Sequence, residues 1–300
     1  MELSSKTLKR IGRDINLLQT SSLIEEKIYV MPDETDITLV RVCIIGPENT
    51  PYENGIYFFE VKFPSNYPFS PPKVKYLTTD GKSRMHPNYY CCGKVCVSII
   101  GTWSGPGWTS CQSLSSVLIT LRSLFIENPL WQEPGFNGEI SERNSDYNTL
   151  IKHENIRIGI LKMVEHPPIG FEIFNEIITQ HLINNKLKIM EFCDKELHNN
   201  NKEYYSPSIY NFSKVLKYNI LIDKLNIHYS KLNDDMINEH ISMLLSNIKT
   251  NTITFKDFNS IHSDLSDQID IELSKIIILL VIKNKIKINS NNNNIITLVN

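Results

Sequence analysis

Between residues 24 and 77 four strand-like segments, IEEKIYV, DITLVRVCIIG, GIYFFEVKF and KVKYL, follow one another with only turn- and loop-forming sequence between them. Connections without a crossover helix favour strands that pair with their neighbours, so the spacing predicts an antiparallel meander. In the third segment Tyr57, Phe59, Val61 and Phe63 alternate with Ile56, Phe58, Glu60 and Lys62, so one face suits a core. The connector GPENTPYENG reads as a tight hairpin-type loop. FPSNYPFSPPK holds four prolines. Each fixes φ and lacks an N–H, so this stretch is neither a central strand nor a helix but a rigid loop.

Helical spacing brackets the strands. Leu8, Ile11, Ile15 and Leu18 recur on one face of a first helix, with Ser4 and Ser5 as candidate caps. In SCQSLSSVLITLRSLFIENP the stripe is Leu114, Val117, Leu118, Leu121, Leu124 and Phe125, ended by Pro129. A loop, LWQEPGFNGE, leads to a third helix over YNTLIKHENIRIGILKMVEHPP. A further helix is expected from Phe171 through Phe174, Ile178 and Leu182 toward Cys193. The fold class is α+β, with a catalytic core over 1–165, a helical extension over 166–230, and a weakly specified region with a partly disordered tail over 231–300, where Asn, Ile and Lys dominate.

A formal charge of −2 implies no general attraction to nucleic acid or an anionic membrane. The N-terminus lacks the apolar run and cleavage site of a secretory signal, and Ile276–Ile282 is too short to span a bilayer. These features suggest an intracellular chain, cytoplasmic or nuclear, whose six cysteines are thiols.

Three of those thiols fall within HPNYYCCGKVCVSIIGTW: Cys91, Cys92 and Cys96. Structural zinc needs four ligands at repeated short spacings, and CC-x3-C has no second half nearby. A CxxC redox pair is absent. Two further readings are a buried structural thiol, since Val95, Val97, Ile99 and Ile100 around Cys96 are apolar, and a nucleophile. Exchange of an acyl group between thiols is chemically easy, whereas attack of an amine on the resulting thioester develops an oxyanion. Asn88 has the side-chain amide to meet that charge, and Glu133 is a carboxylate suited to position an incoming lysine.

In this order, the basic helix LKRIGRDINLL, then GPENTPYENGIYFFEVKFPSNYPFSPPKVKY, HPN, GKVCVSII and a helix closing at ENP resemble the ubiquitin-conjugating enzymes over about the first 165 residues. The stretch GTWSGPGWTSCQSLSSVLITLRSLFIENPLWQEPGF is similar to a subgroup of large members that carry helical sequence after the core. The resemblance implies an active cysteine within GxxC, which is Cys96, three residues after Gly93; Cys91 and Cys92 then lie in the variable spacer. It implies that Asn88 stabilises the oxyanion or orders its loop, that His86 and Pro87 are structural, and that Glu133 guides the lysine. Ser98 stands at a gate position where many relatives have Asp, which places lysine activation more heavily on Glu133.

The family's partners would be ubiquitin or a ubiquitin-like modifier, an activating enzyme, a ligase and protein substrates. Lys9, Arg10 and Arg13 on the first helix, Phe69, and Ser110 with Cys111 occupy its partner-binding positions. No cofactor is implied, because the activating enzyme uses the ATP. Trp103 and Trp108 flank SGPG and suit core packing or a cover over the thioester. The rival readings are a non-catalytic variant of the same fold that only binds ubiquitin or a ligase, and a zinc-stabilised interaction domain.

Overall fold

Ser4 begins the fold by capping helix α1 (Ser5–Gln19): its hydroxyl accepts the Thr7 N–H at 3.1 Å. Ile11, Ile15 and Leu18 are buried from this helix, while Leu8 lies partly open. The computed structural model describes residues 3–19 and 23–250 together with the backbone of three later short strands, with side chains described as far as residue 235.

Strands β1 (Ile28–Pro32), β2 (Leu39–Ile45), β3 (Ile56–Lys62) and β4 (Lys73–Tyr76) form one antiparallel sheet in chain order, so the meander holds. Its register pairs Ile28 with Ile44, Val42 with Phe59 and Val61 with Val74. The β2–β3 turn is tight because Gly46 passes against the backbone of Tyr52; a Cβ there would fall 1.8 Å from the Tyr52 carbonyl oxygen. β1 starts later than the apolar pattern suggests, leaving Ile24 exposed ahead of it.

One sheet face carries Tyr57, Phe59 and Val61 into the main core, where α1 and α2 (Leu114–Ser123) pack. Ser113 caps α2, accepting from Ser116 N. The other face is also buried, which the alternation in β3 does not anticipate. Phe58 lies there with its ring centroid 4.9 Å from that of Phe171 and 6.0 Å from that of Phe174. Cys43, its register partner on β2, is fully buried too. Chain beyond residue 165 therefore covers the back of the sheet.

Helix α3 (Glu142–Glu154) is capped by Ser141 and continues through a π-helical stretch, Asn155–Lys162, into α4 (Met163–Glu165). At the start of the π stretch, Asn155 turns inward. Its Oδ1 accepts from Tyr57 Oη at 2.6 Å, and its Nδ2 donates to Glu53 O at 2.8 Å. Beside it, the buried Glu154 carboxylate accepts from Arg157 Nε and Ser83 Oγ, and Arg157 also reaches Asp80. Burial opposes the Glu154 charge, but the bonds from Arg157 and His153 outweigh it and hold the carboxyl at about 2.

The single helix expected from Phe171 to Cys193 is instead three pieces: a turn at Glu172–Phe174, α5 (Asn175–Asn184) and α6 (Lys186–Lys195). The break falls at Asn185, which leaves helical backbone angles at φ −109° and ψ 9°; its Nδ2 donates to His181 O at 2.8 Å beside its own N–H at 3.1 Å. A short hairpin follows, β5 (Glu203–Tyr205) with β6 (Ser213–Val215). Helix α7 spans Tyr218–Thr250, and just before it Lys217 N donates to His153 Nε2 on α3 at 3.0 Å.

Packing groups Met1–Leu225 in one compact unit and Asn226–Asn300 in another. In the latter, β7 (Ile253–Thr254), β8 (Ile286–Ile288) and β9 (Ile295–Leu298) pair antiparallel in the order β7-β9-β8. The apolar run Ile276–Ile282, and much of the stretch read as a disordered tail, lie outside the described residues. Among the described residues no helix is long and apolar enough to cross a membrane.

Candidate functional site

Around Cys96 the loops are ordered by backbone hydrogen bonds over short sequence distances. Cys96 N donates to Asn88 O at 2.9 Å, and Asn88 Nδ2 donates to Cys96 O at 2.8 Å. Asn88 thus clamps both backbone groups of the cysteine. Its amide nitrogen has a second N–H beyond the one used on this carbonyl. His86 is buried and fully engaged. Asn88 N donates to its Nδ1 at 3.0 Å, so Nε2 carries the proton and donates to Leu124 O at 2.9 Å. Burial, with the nearby Arg84 charge, lowers its pKa to about 3 despite the Leu124 bond. A neutral imidazole with both nitrogens occupied orders the loop and is not available as a general base. Pro87 is buried beside it.

Arg84, which the sequence reading did not single out, ties this loop from outside. Its Nε donates to His86 O at 2.9 Å and its Nη2 to Pro87 O at 2.5 Å, while the guanidinium stacks on Tyr90, 3.1 Å from the ring centroid. Its position two residues before HPN is the only local signal.

Tyr90 N donates to Lys94 O, and Gly93 N to Tyr90 O, both at 2.9 Å, so Cys91 and Cys92 sit at the tip of a tight turn. Gly93 takes φ +92° there. Cys92 is exposed and Cys91 half-buried, whereas Cys96 is only 3% exposed. Among the described residues no three His, Cys, Asp or Glu side chains gather as metal ligands.

After Cys96, Thr102 folds the chain back, its hydroxyl accepting from Val97 N at 3.0 Å and donating to Val97 O at 3.1 Å. The GTWSGPGW segment then passes over Ser98. A Cβ on Gly105, whose φ is +132°, would stand 3.2 Å from Ser98 Cβ. The two tryptophans part company: Trp108 packs on the core and donates to Pro68 O at 2.7 Å, whereas Trp103 is about half exposed.

Glu133 follows the turn Pro129–Gln132 and is half-buried. Its Oε2 accepts from Tyr210 Oη at 2.7 Å. Tyr210 lies between β5 and β6, so a residue of the extension reaches the predicted lysine-guiding carboxylate. Burial first, then the neighbouring Tyr147, then the bond to Glu133 raise the Tyr210 pKa above its ordinary value, keeping it a donor. Nothing in the sequence around Tyr210 announces this contact.

The positions assigned to partners separate into two kinds. Lys9, Arg13, Ser110 and Cys111 are exposed, and Phe69 is 81% exposed. Arg10 is bonded within the chain. It donates to Asp14 at 3.0 Å, to Ser110 O at 2.9 Å and to Gln112 O, and lies over the Tyr67 ring. Its guanidinium thus holds the loop that contains Ser110 and Cys111. A separate cavity of about 540 Å³, lined by residues such as Asn49, Glu53, Asn148 and Lys188, includes none of the side chains around Cys96.

A family model described as "Ubiquitin-conjugating enzyme" matches residues 10–167. The chain is 45% identical to "Ubiquitin-conjugating enzyme E2 Z" of Xenopus tropicalis over 167 residues, 54% of this chain and 52% of that protein. It is 45% identical over 163 residues to the Homo sapiens protein of the same name, covering 53% of this chain and 45% of that one. It also matches the human "Dual E2 ubiquitin-conjugating enzyme/E3 ubiquitin-protein ligase BIRC6" at 33% identity over 207 residues, 64% of this chain and 4% of that protein. The chain spans about half the length of the E2 Z relatives. With its four-stranded meander, its HPN loop clamped onto Cys96 and a family match over more than half its residues, this chain belongs to the ubiquitin-conjugating enzyme family.

Proposed function

We propose that this chain accepts ubiquitin, or a ubiquitin-like modifier, on Cys96 and passes it to a lysine of a protein substrate or to a ligase cysteine. The Cys96 thiolate attacks the carbonyl carbon of the activating enzyme's thioester. A new C–S bond forms, the old one breaks, and the departing thiolate takes up a proton. A neutral lysine amine then attacks the same carbon. An amide forms, the amine loses its proton, and the Cys96 thiolate leaves. Charge on the carbonyl oxygen peaks between these bond changes.

The observation that carries this reading is the reciprocal pairing of Asn88 with Cys96 inside the family's motif. It supports a loop-ordering role for Asn88, and its second amide N–H suits the oxyanion. Glu133 is assigned the incoming lysine, and Ser98 marks the gate without a charge. Exposed Lys9, Arg13 and Phe69 suit contact with an activating enzyme and a ligase. No metal or nucleotide enters the steps at this chain, because ATP is consumed upstream, and the setting is intracellular.

The test is incubation with activating enzyme, ATP and ubiquitin. The expected product is an adduct released by thiol, retained in Cys91→Ser and Cys92→Ser, and converted in Cys96→Ser to an ester that thiol does not cleave. Loss of the adduct in Cys91→Ser or Cys92→Ser, with a thioester persisting in Cys96→Ser, overturns the assignment.

A further inference from the structure

Tyr210 stands where two parts of the proposed site meet. Its hydroxyl donates to Glu133 Oε2 at 2.7 Å. Its ring lies 5.3 Å from the Arg84 guanidinium, and Arg84 in turn donates to His86 O and Pro87 O beside the Asn88–Cys96 clamp. From below, Tyr147 of α3 supports the ring at 5.4 Å between centroids and donates to Arg84 O at 2.9 Å. Tyr210 itself is fixed by the hairpin: Tyr210 N donates to Pro207 O at 2.9 Å, and Phe212 packs on the same core.

We infer that Tyr210 is a positioning residue for the acceptor lysine, and that the β5–β6 hairpin of the extension forms one wall of the acceptor site. The inference rests on the function proposed above and adds a residue that lies outside the matched family segment, 10–167. A lone Glu133 on a surface loop would sample several rotamers. The Tyr210 bond occupies Oε2 and turns the carboxylate in one direction. Among the described residues Oε1 accepts no hydrogen bond, which leaves it to receive the lysine ammonium before a proton is lost. Ser98 offers no second carboxylate at the gate, so the orientation of Glu133 decides how the amine arrives. The contact is selective for amines: a thiol acceptor carries no ammonium for Oε1 to hold.

The experiment uses the full chain carrying a preformed Cys96 thioester, discharged in parallel to free lysine and to a small thiol. Phenylalanine keeps the ring against Arg84 and Tyr147 and removes only the hydroxyl. In Tyr210→Phe the ratio of lysine to thiol discharge should fall about tenfold, the scale of one hydrogen bond to a charged group. Glu133→Gln should lower the same ratio. The double variant should be no worse than Glu133→Gln alone, because Tyr210 acts through Glu133. An unchanged ratio in Tyr210→Phe overturns the inference. So does an equal slowing of both acceptors, the mark of a loosened fold, or multiplied effects in the double variant. Failure of the functional reading appears earlier and differently, as a wild-type chain that forms no adduct.

Discussion

The two faces of strand β3 are buried by different parts of the chain. Tyr57, Phe59 and Val61 face the core shared with α1 and α2, within the segment that matches the family. Phe58 faces Phe171 and Phe174, which lie beyond that segment. The first face builds the scaffold that holds the Cys96 loop. The second makes the extension part of the same solid, and the extension then delivers Tyr210 to Glu133. Burial of one strand on both sides thus links stability to the layout of the site.

The largest effect should come from uncoupling these faces. Replacing Phe58 or Phe59 by Ala removes a fully buried ring and should lower the unfolding free energy by about 3–5 kcal/mol in each case. In a chain that ends at residue 167 the two should part: Phe59→Ala keeps its cost, and Phe58→Ala loses most of its own. Cys43 gives a second readout, since it pairs with Phe58 and burial raises its pKa. A thiol reagent should leave Cys43 unmodified in the full chain and label it in Phe171→Ala/Phe174→Ala. Ready labelling in the intact chain would break the comparison.

What the sequence made legible follows the range of the interactions. The meander could be read because its connections are short, and the HPN loop because Asn88 and Cys96 bond over eight residues. The choice of Cys96 over Cys91 and Cys92 came from resemblance, since the residues alone left the sulfur open. In the structure the three thiols sit apart: Cys91 and Cys92 lie on the tip of a turn closed by Tyr90 and Gly93, and Cys96 lies on the Asn88 clamp. Long-range partners were not legible. Tyr210 bonds Glu133 across 77 positions, Arg10 bonds Ser110 across 100, and β3 meets Phe171 with no periodicity to announce it. The break at Asn185 is a local exception: apolar spacing continues through it from Leu182 to Ile189, so periodicity does not show the change of backbone angles there.

Acid tests whether the two regions unfold together. His86 in the core loop is held at about 3, chiefly by burial, with the Arg84 charge adding to it. His181 on α5 is held at about 4, chiefly by burial, with the Lys27 charge adding to it. Both folded pKa values lie below that of a free imidazole, so the unfolded chain binds more protons as pH falls below about 6.5. Stability from these groups is therefore complete above about 6.5 and declines on acidification. By pH 4.5 each should have cost about 2–3 kcal/mol, in addition to the carboxylate protonation that begins in the same range. Unfolding midpoints measured from pH 7 to 4.5 should fall steadily, and His86→Gln and His181→Gln should each flatten part of the slope. A slope that responds to His86→Gln alone would show the extension opening separately from the core.

The smallest effects concern α1, where three neighbouring cations do different work. Arg10 holds Asp14 and the carbonyls of Ser110 and Gln112, so Arg10→Ala should cost about 1–2 kcal/mol, in keeping with lost hydrogen bonds to a charged donor. Lys9 and Arg13 are exposed, and their replacement by Ala should change stability by less than about 0.5 kcal/mol. Transfer from the activating enzyme should reverse the balance. Lys9→Ala/Arg13→Ala should slow charging of Cys96 without moving the urea midpoint, and the loss should shrink as salt is raised, because exposed charges are screened. Arg10→Ala should move the midpoint first and affect charging only through the loop it holds. If all three substitutions shifted charging alike at constant stability, Arg10 would belong with the partner surface, and its bonds to Ser110 and Gln112 would not be what holds that loop.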